Sequence, residues 1–222
     1  MNAGNGRVVE VILADGYRYA RIACPEKLIP GPGQYLLASD SSDAALPVPI
    51  FYTDSAPQGF TTLVPNSWSP GRILQLRGPL GRGFTLPFSA RKIGLVALDD
   101  APARLRGLIQ PALKQDASVV LLCGQSGDDV PDEVEVQPLS ALEDILPWAD
   151  YLALDVDRNN LQPLVERLRQ QNSPSVIQQA QVLIRTPMPC GGIAECGSCA
   201  VVTKSGWQMA CKDGPVFDLR EI

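Results

Sequence analysis

Between Arg7 and Leu76 the hydrophobic and polar positions alternate in short runs, broken at regular intervals by glycine and proline. Arg7–Leu13, Tyr17–Cys24, Gln34–Ala38, Pro49–Thr53, Phe60–Val64 and Arg72–Leu76 each read as a strand. Asp15-Gly16, Pro30-Gly31-Pro32-Gly33 and Pro70-Gly71 supply turns between them. Strands this short and this closely spaced predict a small antiparallel barrel. Gly78-Pro79-Leu80-Gly81-Arg82-Gly83-Phe84 closes the region, and its glycine density predicts a tight loop with exposed backbone.

From residue 91 the pattern changes. Apolar runs of strand length (Lys92–Leu98, Ser118–Cys123, Glu133–Val136, Tyr151–Leu154, Ala180–Ile184) alternate with amphipathic stretches of helical period (Ala101–Gln115, Ser140–Pro147, Leu161–Gln171). Alternation of this kind argues for a parallel sheet covered by helices, here a reduced one. Beyond residue 185 periodicity fades. Glycine is frequent, and only Ala200–Thr203 and Trp207–Ala210, around Ser205-Gly206, read as strands. The expected division is therefore a barrel over 1–88, an α/β domain over 89–185 and a tail over 186–222.

Composition narrows the function. The 222 residues are 45% hydrophobic with a net charge of −5, ordinary for a globular chain and a poor match to nucleic acid, which needs clustered Lys and Arg. The longest apolar runs, such as Ile93–Leu98 and Val119–Cys123, are too short to span a bilayer, and Met1–Gly6 lacks the pattern of a secretory signal. A cytoplasmic protein is expected. Histidine is absent, which removes a Ser-His-Asp triad, a Rieske centre and any Cys/His zinc finger.

Six cysteines remain. Cys24 and Cys123 stand alone in strand-like segments and read as small buried hydrophobes. The other four follow the spacing Cys190-x5-Cys196-x2-Cys199-x11-Cys211. Plant-type [2Fe–2S] sites use Cys-x4-Cys-x2-Cys and a distant fourth cysteine. Gly191, Gly192 and Gly197 would let the loop curl so that thiolates and backbone N–H groups point inward, and the Gly191-Gly192 pair can absorb the extra residue. A four-cysteine zinc site is the rival, though zinc usually takes two Cys-x2-Cys knuckles and only Cys196/Cys199 forms one. Disulfides do not suit a chain without a secretory signal.

Met188-Pro-Cys-Gly-Gly-Ile-Ala-Glu-Cys-Gly-Ser-Cys-Ala, followed by Cys211-Lys-Asp-Gly-Pro-Val-Phe217, resembles the C-terminus of the electron-transfer subunit of two-subunit bacterial dihydroorotate dehydrogenases. Pro32-Gly-Gln-Tyr35 is similar to the family's Pro-Gly-Gln-Phe turn, and Gly78–Phe84 to its Gly-Pro-Leu-Gly-Asn-Gly-Phe loop, both in the flavin-binding barrel of ferredoxin-reductase-like proteins. The order barrel, α/β domain, cluster tail matches too. The resemblance implies a relay in which NADH reduces FAD, FAD passes single electrons to a [2Fe–2S] centre, and the centre exchanges them with FMN in a catalytic partner, within a hetero-oligomer serving pyrimidine biosynthesis. It also implies that Asp213-Gly214-Pro215 forms a turn locking the last ligand, and that Val216 and Phe217 pack beside the cluster or against the partner. Pro49, Ile50, Gly78 and Gly81 are the positions it sets against a flavin.

Four departures fall on the nucleotide side. Where the family carries Arg-Pro-x-Ser/Thr, whose arginine neutralises the FAD pyrophosphate, this chain has Val48-Pro49-Ile50-Phe51. The Gly-x-Gly-Thr segment is replaced by Val64-Pro-Asn-Ser-Trp-Ser-Pro-Gly71, and the glycine cluster after the first α/β strand by Leu98-Asp99-Asp100-Ala101. Leu154-Asp155-Val156 stands in place of a Cys-Gly-Pro turn. These argue against NAD and weigh against FAD. Gly33-Gln34-Tyr35 and Gly78–Phe84 keep FAD open, although a barrel needs such turns in any case. The expected function is an electron-transfer subunit with the cluster as its redox centre. The alternatives are a non-catalytic docking or assembly subunit, whose cluster is structural or fed by an external ferredoxin, and a sulfur- or hydrogen-linked reductase subunit of the same superfamily.

Overall fold

The computed structural model describes residues 1–14, 16–40, 46–98, 101–124, 130–170 and 179–222. Asp15, Asp99, Asp100 and Gln171, which enter the expectations above, lie outside the described residues.

The N-terminal strands are β1 (Asn2–Ala14), β2 (Tyr17–Ala23), β3 (Tyr35–Ser39), β4 (Val48–Phe51), β5 (Asp54–Ala56), β6 (Gly59–Leu63) and β7 (Ile73–Leu80). They pair antiparallel in the order β4-β3-β7-β1-β2-β6-β5, a curled half-barrel whose edge strands are β4 and β5. Alternate positions close its core, with Ile22, Leu28, Leu36, Ile50, Phe60 and Leu74 almost fully buried. Two differences from the sequence pattern have local causes. β1 begins at Asn2 because its first half, polar and glycine-rich, is paired residue by residue with β7 from Asn2↔Gly78 to Arg7↔Ile73. β5 is a three-residue edge strand closed by Gln58 at φ 59, a conformation that neither glycine nor asparagine announces.

The second sheet contains β8 (Lys92–Ala97), β9 (Ser118–Leu122), β10 (Val134–Gln137), β11 (Tyr151–Asp157) and β12 (Ala180–Arg185), parallel and ordered β10-β9-β8-β11-β12. β11 outruns its expected end and carries Asp155 inside the sheet. The helix expected over Ala101–Gln115 is two short ones, α1 (Ala103–Arg106) and α2 (Ile109–Lys114). They break at Gly107, where an added Cβ would lie 2.6 Å from two ring carbons of Tyr52 in the half-barrel. α3 (Leu142–Ile145) is one turn, and α4 (Arg158–Gln170) buries Leu161, Leu164, Val165 and Leu168 at helical spacing. Among the described residues no helix is long and apolar enough to cross a membrane.

The tail adds the hairpin β13 (Ala200–Thr203) and β14 (Gly206–Met209), then β15 (Val216–Asp218). β15 pairs antiparallel with β12 and becomes the sixth strand of the α/β sheet. Val216 and Phe217 are thus buried sheet residues, 4% and 3% exposed, and Phe217 has no face to offer a partner. Gly78–Phe84 is likewise not an exposed loop. β7 runs through Leu80, the Arg82 N–H donates to the Gly214 carbonyl at 2.5 Å, and the Phe84 N–H donates to the Pro32 carbonyl at 2.9 Å. Gly81, at φ +73, has the Gly214 carbonyl oxygen and Pro215 Cδ each 2.6 Å from where a Cβ would sit.

Gly81→Ala should therefore lower stability by about 1–3 kcal/mol more than Gly71→Ala, because it adds overpacking to a shared backbone strain. Gly71 is also at positive φ (+89), with nothing within 4 Å of an added Cβ. Urea midpoints of the two variants check this, and equal midpoints would show that the tail does not press on Gly81.

Candidate metal centre

The tail leaves β12 at Arg185 and turns immediately. Gly191 (φ +69), Gly192 (φ +79), Ala194 (φ +67) and Gly197 (φ +71) all take left-handed backbone. Ala194 does so with a Cβ, a conformation few non-glycine residues adopt. The result is a loop whose amides turn inward: the N–H groups of Ala194, Ile193 and Cys196 lie near the Cys190 sulfur, and the Ala194 N–H also lies near that of Cys211.

The four cysteines come together in two neighbouring pairs, Cys190 with Cys196 and Cys211 with Cys199. Hairpin geometry makes the second pair, because Cys199 directly precedes β13, Cys211 follows β14 by one residue, and the Ala210 N–H donates to the Cys199 carbonyl at 3.0 Å. Cys199 and Cys211 are buried, Cys190 is half-buried and Cys196 is exposed. Among the described residues, no three cysteine or carboxylate side chains converge as the ligands of one metal ion would. Cys24 and Cys123 lie elsewhere, in the half-barrel and the α/β sheet. Cys123 is buried, and burial pushes the thiol of half-buried Cys24 up to about 11.

Local electrostatics differ across the set. Burial opposes ionisation of Cys190, but the Ala194 N–H, the Cys196 thiol and the N–H groups of Ile193 and Cys196 outweigh it and lower its pKa to about 6. Cys211 is pushed up to about 12 by burial, then by its bond to Cys199 and the nearby Cys199 and Cys190 charges, against the Ala194 N–H. A thiolate-binding metal group would resolve that conflict by taking the proton's place.

Several residues hold this loop; the expected turn at Asp213 is one, and Tyr35, Arg77 and Arg158 join it from outside the tail. The Tyr35 hydroxyl donates to the Cys211 carbonyl at 2.8 Å from a fully buried position. Burial, then the neighbouring Cys211, Cys199 and Cys190, push its pKa up, so it remains a donor. Arg77 donates to the Gly191 carbonyl. Arg158, at the start of α4, donates to the Ser198 carbonyl at 2.6 Å. The Asp213 carboxylate accepts the Met209 N–H at 2.8 Å while the Asp213 N–H donates to the Met209 carbonyl at 2.7 Å, closing a turn around Cys211.

Residues 186–222 match the family described as the iron–sulfur cluster binding domain of dihydroorotate dehydrogenase B. The C-terminal tail is an iron–sulfur cluster binding domain. The whole chain is similar to a chain of the NADH-dependent reduced ferredoxin-NADP oxidoreductase, a structure solved for insights into flavin-based electron bifurcation. The identity is 18% and the TM-score 0.77, over 97% of this chain and 88% of that one. It is also similar to the ferredoxin reductase of carbazole 1,9a-dioxygenase (17% identity, TM-score 0.62, 78% of this chain and 64% of that one). A ferredoxin NADP+ reductase from Neisseria gonorrhoeae, solved with bound FAD and NADP, shares 11% identity at a TM-score of 0.61, over 83% of this chain and 99% of that one. These likenesses establish a ferredoxin-reductase-like fold, and with the tail match they support the resemblance read from the sequence. The iron–sulfur domain's donor set fits a cluster: four thiols in two pairs, with inward amides to bond sulfur.

The cleft between half-barrel and α/β sheet fits FAD poorly. It is about 360 Å³, lined by Pro49, Phe51, Thr53, Thr62, Leu63, Arg104, Asp157, Arg185, Thr186 and Pro187. Of the four positions set against a flavin, Pro49 alone reaches it. The Ile50 side chain is 1% exposed in the half-barrel core, Gly78 is packed on Leu36, and Gly81 lies against Gly214 and Pro215. Phe51 projects into the cleft beside Tyr35 (ring centroids 5.7 Å apart), with the Arg104 guanidinium 5.6 Å from its ring centroid. Asp155, 1% exposed at the C-terminal end of β11, accepts from Arg104 Nη1 at 3.1 Å and Arg185 Nε at 2.8 Å. Burial pushes this carboxyl up, and the two guanidiniums pull it down. β8 and β11 are where the strand order reverses, the usual crevice for a nucleotide, and here an ion-pair triad stands in it.

Asp155→Asn should remove about 1.5–3 kcal/mol of stability, because it takes one charged hydrogen-bond partner from each of two guanidiniums. Chemical denaturation of the variant measures it, and a loss below about 1 kcal/mol would assign the triad the weight of a surface pair.

Proposed function

We propose that this chain is an electron-transfer subunit whose tail carries a [2Fe–2S] cluster on Cys190, Cys196, Cys199 and Cys211. The observation that carries the reading is the pairing of those cysteines within a domain matched to an iron–sulfur family. Two thiol pairs suit two iron atoms, one pair to each, better than a single tetrahedral zinc, which draws four sulfurs to one point at about 2.3 Å. When bound, such a centre supplies a one-electron carrier that needs no proton transfer. The chain's own residues do the rest. Gly191, Gly192 and Gly197 shape the loop, the Ile193, Ala194 and Cys196 amides bond sulfur, and Asp213 holds the last ligand. Exposed Cys196, beside exposed Ile193, gives the site an open side for exchange with another protein.

By the same resemblance, the partner is an FMN-containing catalytic subunit like that of dihydroorotate dehydrogenase, assembled as a hetero-oligomer in pyrimidine biosynthesis. A cytoplasmic setting suits four ligand cysteines that must stay reduced. The cleft favours the alternative, a non-catalytic docking or assembly subunit whose cluster is fed by an external ferredoxin and which does not bind NAD. Phe51 and the Arg104–Asp155–Arg185 triad take the space and the charges that a flavin and a dinucleotide would need.

Anaerobically purified protein should contain about two irons and about two sulfides per chain. Cys199→Ser and Cys211→Ser should lose most of that iron, while Cys24→Ser keeps it. Zinc in place of iron would overturn the assignment. NADH, with or without added FAD, should leave the visible spectrum of the oxidised protein unchanged, whereas dithionite or a reduced ferredoxin bleaches it. Bleaching by NADH would restore the full flavin relay.

A further inference from the structure

The Gly191-Gly192 elbow does not shape itself. Both glycines sit on side chains from the half-barrel, more than a hundred residues earlier in the chain. A Cβ on Gly191 would lie 2.6 Å from Arg77 Nη2, and one on Gly192 would lie 3.2 Å from the Tyr35 hydroxyl. The same two side chains bond carbonyls next to two cysteines. Arg77 donates to Gly191, the residue after Cys190, and Tyr35 donates to Cys211 itself. Resting on the cluster reading above, we propose that Tyr35 and Arg77 are positioning residues for the iron–sulfur loop, and that the Arg77 guanidinium raises the reduction potential of the centre it frames.

The physical argument has two parts. Anchoring the Gly191 carbonyl fixes the peptide plane that leads into the Ile193 and Ala194 amides, and those amides are the groups nearest the Cys190 sulfur along the loop. Anchoring the Cys211 carbonyl fixes the far side of the same site. The second part is charge. One-electron reduction adds a negative charge, and a cation held beside the loop stabilises that state more than the oxidised one. Arg77 is half-buried and borders a cavity of about 710 Å³ that opens beside Cys190, so solvent screens part of the effect. Tyr35 carries no charge, so its contribution is to hold the loop.

The test uses the full chain with its cluster loaded. Arg77→Gln should make reduction about tenfold less favourable, about 59 mV for one electron, in an EPR-monitored redox titration. Arg77→Lys keeps the charge and should return most of that shift. Tyr35→Phe should leave the potential near wild type but speed iron loss to a chelator several-fold. An unshifted potential in Arg77→Gln with full iron content overturns the proposal. So does a Lys variant shifted as far as Gln. If Arg77→Gln does not fold, Tyr35→Phe decides the positioning role and Arg77→Met, which removes the charge and keeps the apolar stem, decides the charge. Wild-type rates of iron loss in Tyr35→Phe, or an unshifted potential in Arg77→Met, sink the respective part. A wild-type chain that takes up no cluster would instead defeat the underlying reading of the four cysteines.

Discussion

A loop that bends left-handed at four positions within seven residues has almost no secondary structure to stabilise it, and its cysteines cannot gather unless something outside the loop holds them. That constraint organises the molecule. The half-barrel reaches the loop with Tyr35 and Arg77, α4 with Arg158, and the tail's own Asp213 closes the turn behind the last cysteine. The Gly214-Pro215 turn lies against Gly81, and β15 is hydrogen-bonded into the sheet. Small segments of this size rarely fold without a metal or a larger body to lean on. Here the larger body is visible at every edge of the loop.

Much of this was legible in the sequence, and the exceptions have physical reasons. Period-two alternation located the half-barrel strands, and apolar runs located the parallel ones, because burial on one face or both leaves a periodic trace. β5 and the first half of β1 leave no such trace, being polar strands imposed by their neighbours. The cysteine spacing pointed to the tail. The roles of Tyr35 and Arg77 could not be found that way, since their partners lie 176 and 114 residues away; the Pro32–Tyr35 motif marked Tyr35 only as part of a flavin-protein turn. The glycines of Gly78–Phe84 matched a flavin-protein motif, yet close approach to Gly214, Pro215 and Pro32 is sufficient reason for Gly81 and Gly83 to be there.

The cleft shows how the same fold can line its crevice with different side chains. In a relative of the same architecture FAD and NADP are bound. In this chain Phe51 lines the cleft, and Asp155 draws two arginines across the strand-order reversal. The triad is a satisfied polar network that ties α1, β11 and β12 together, so the crevice has become a point of cohesion.

The placement of β15 bears on how such a protein can change. A segment that contributes one strand to another unit's sheet cannot be cut away, fused elsewhere or exchanged as a cassette without leaving an open edge on what remains. The α/β body is therefore bound to the tail by backbone pairing whatever becomes of its nucleotide chemistry. Deleting it would strip β15 of its only strand partner among the described residues. Loss of a substrate site in this architecture frees individual side chains to drift, but it does not free the domain to disappear.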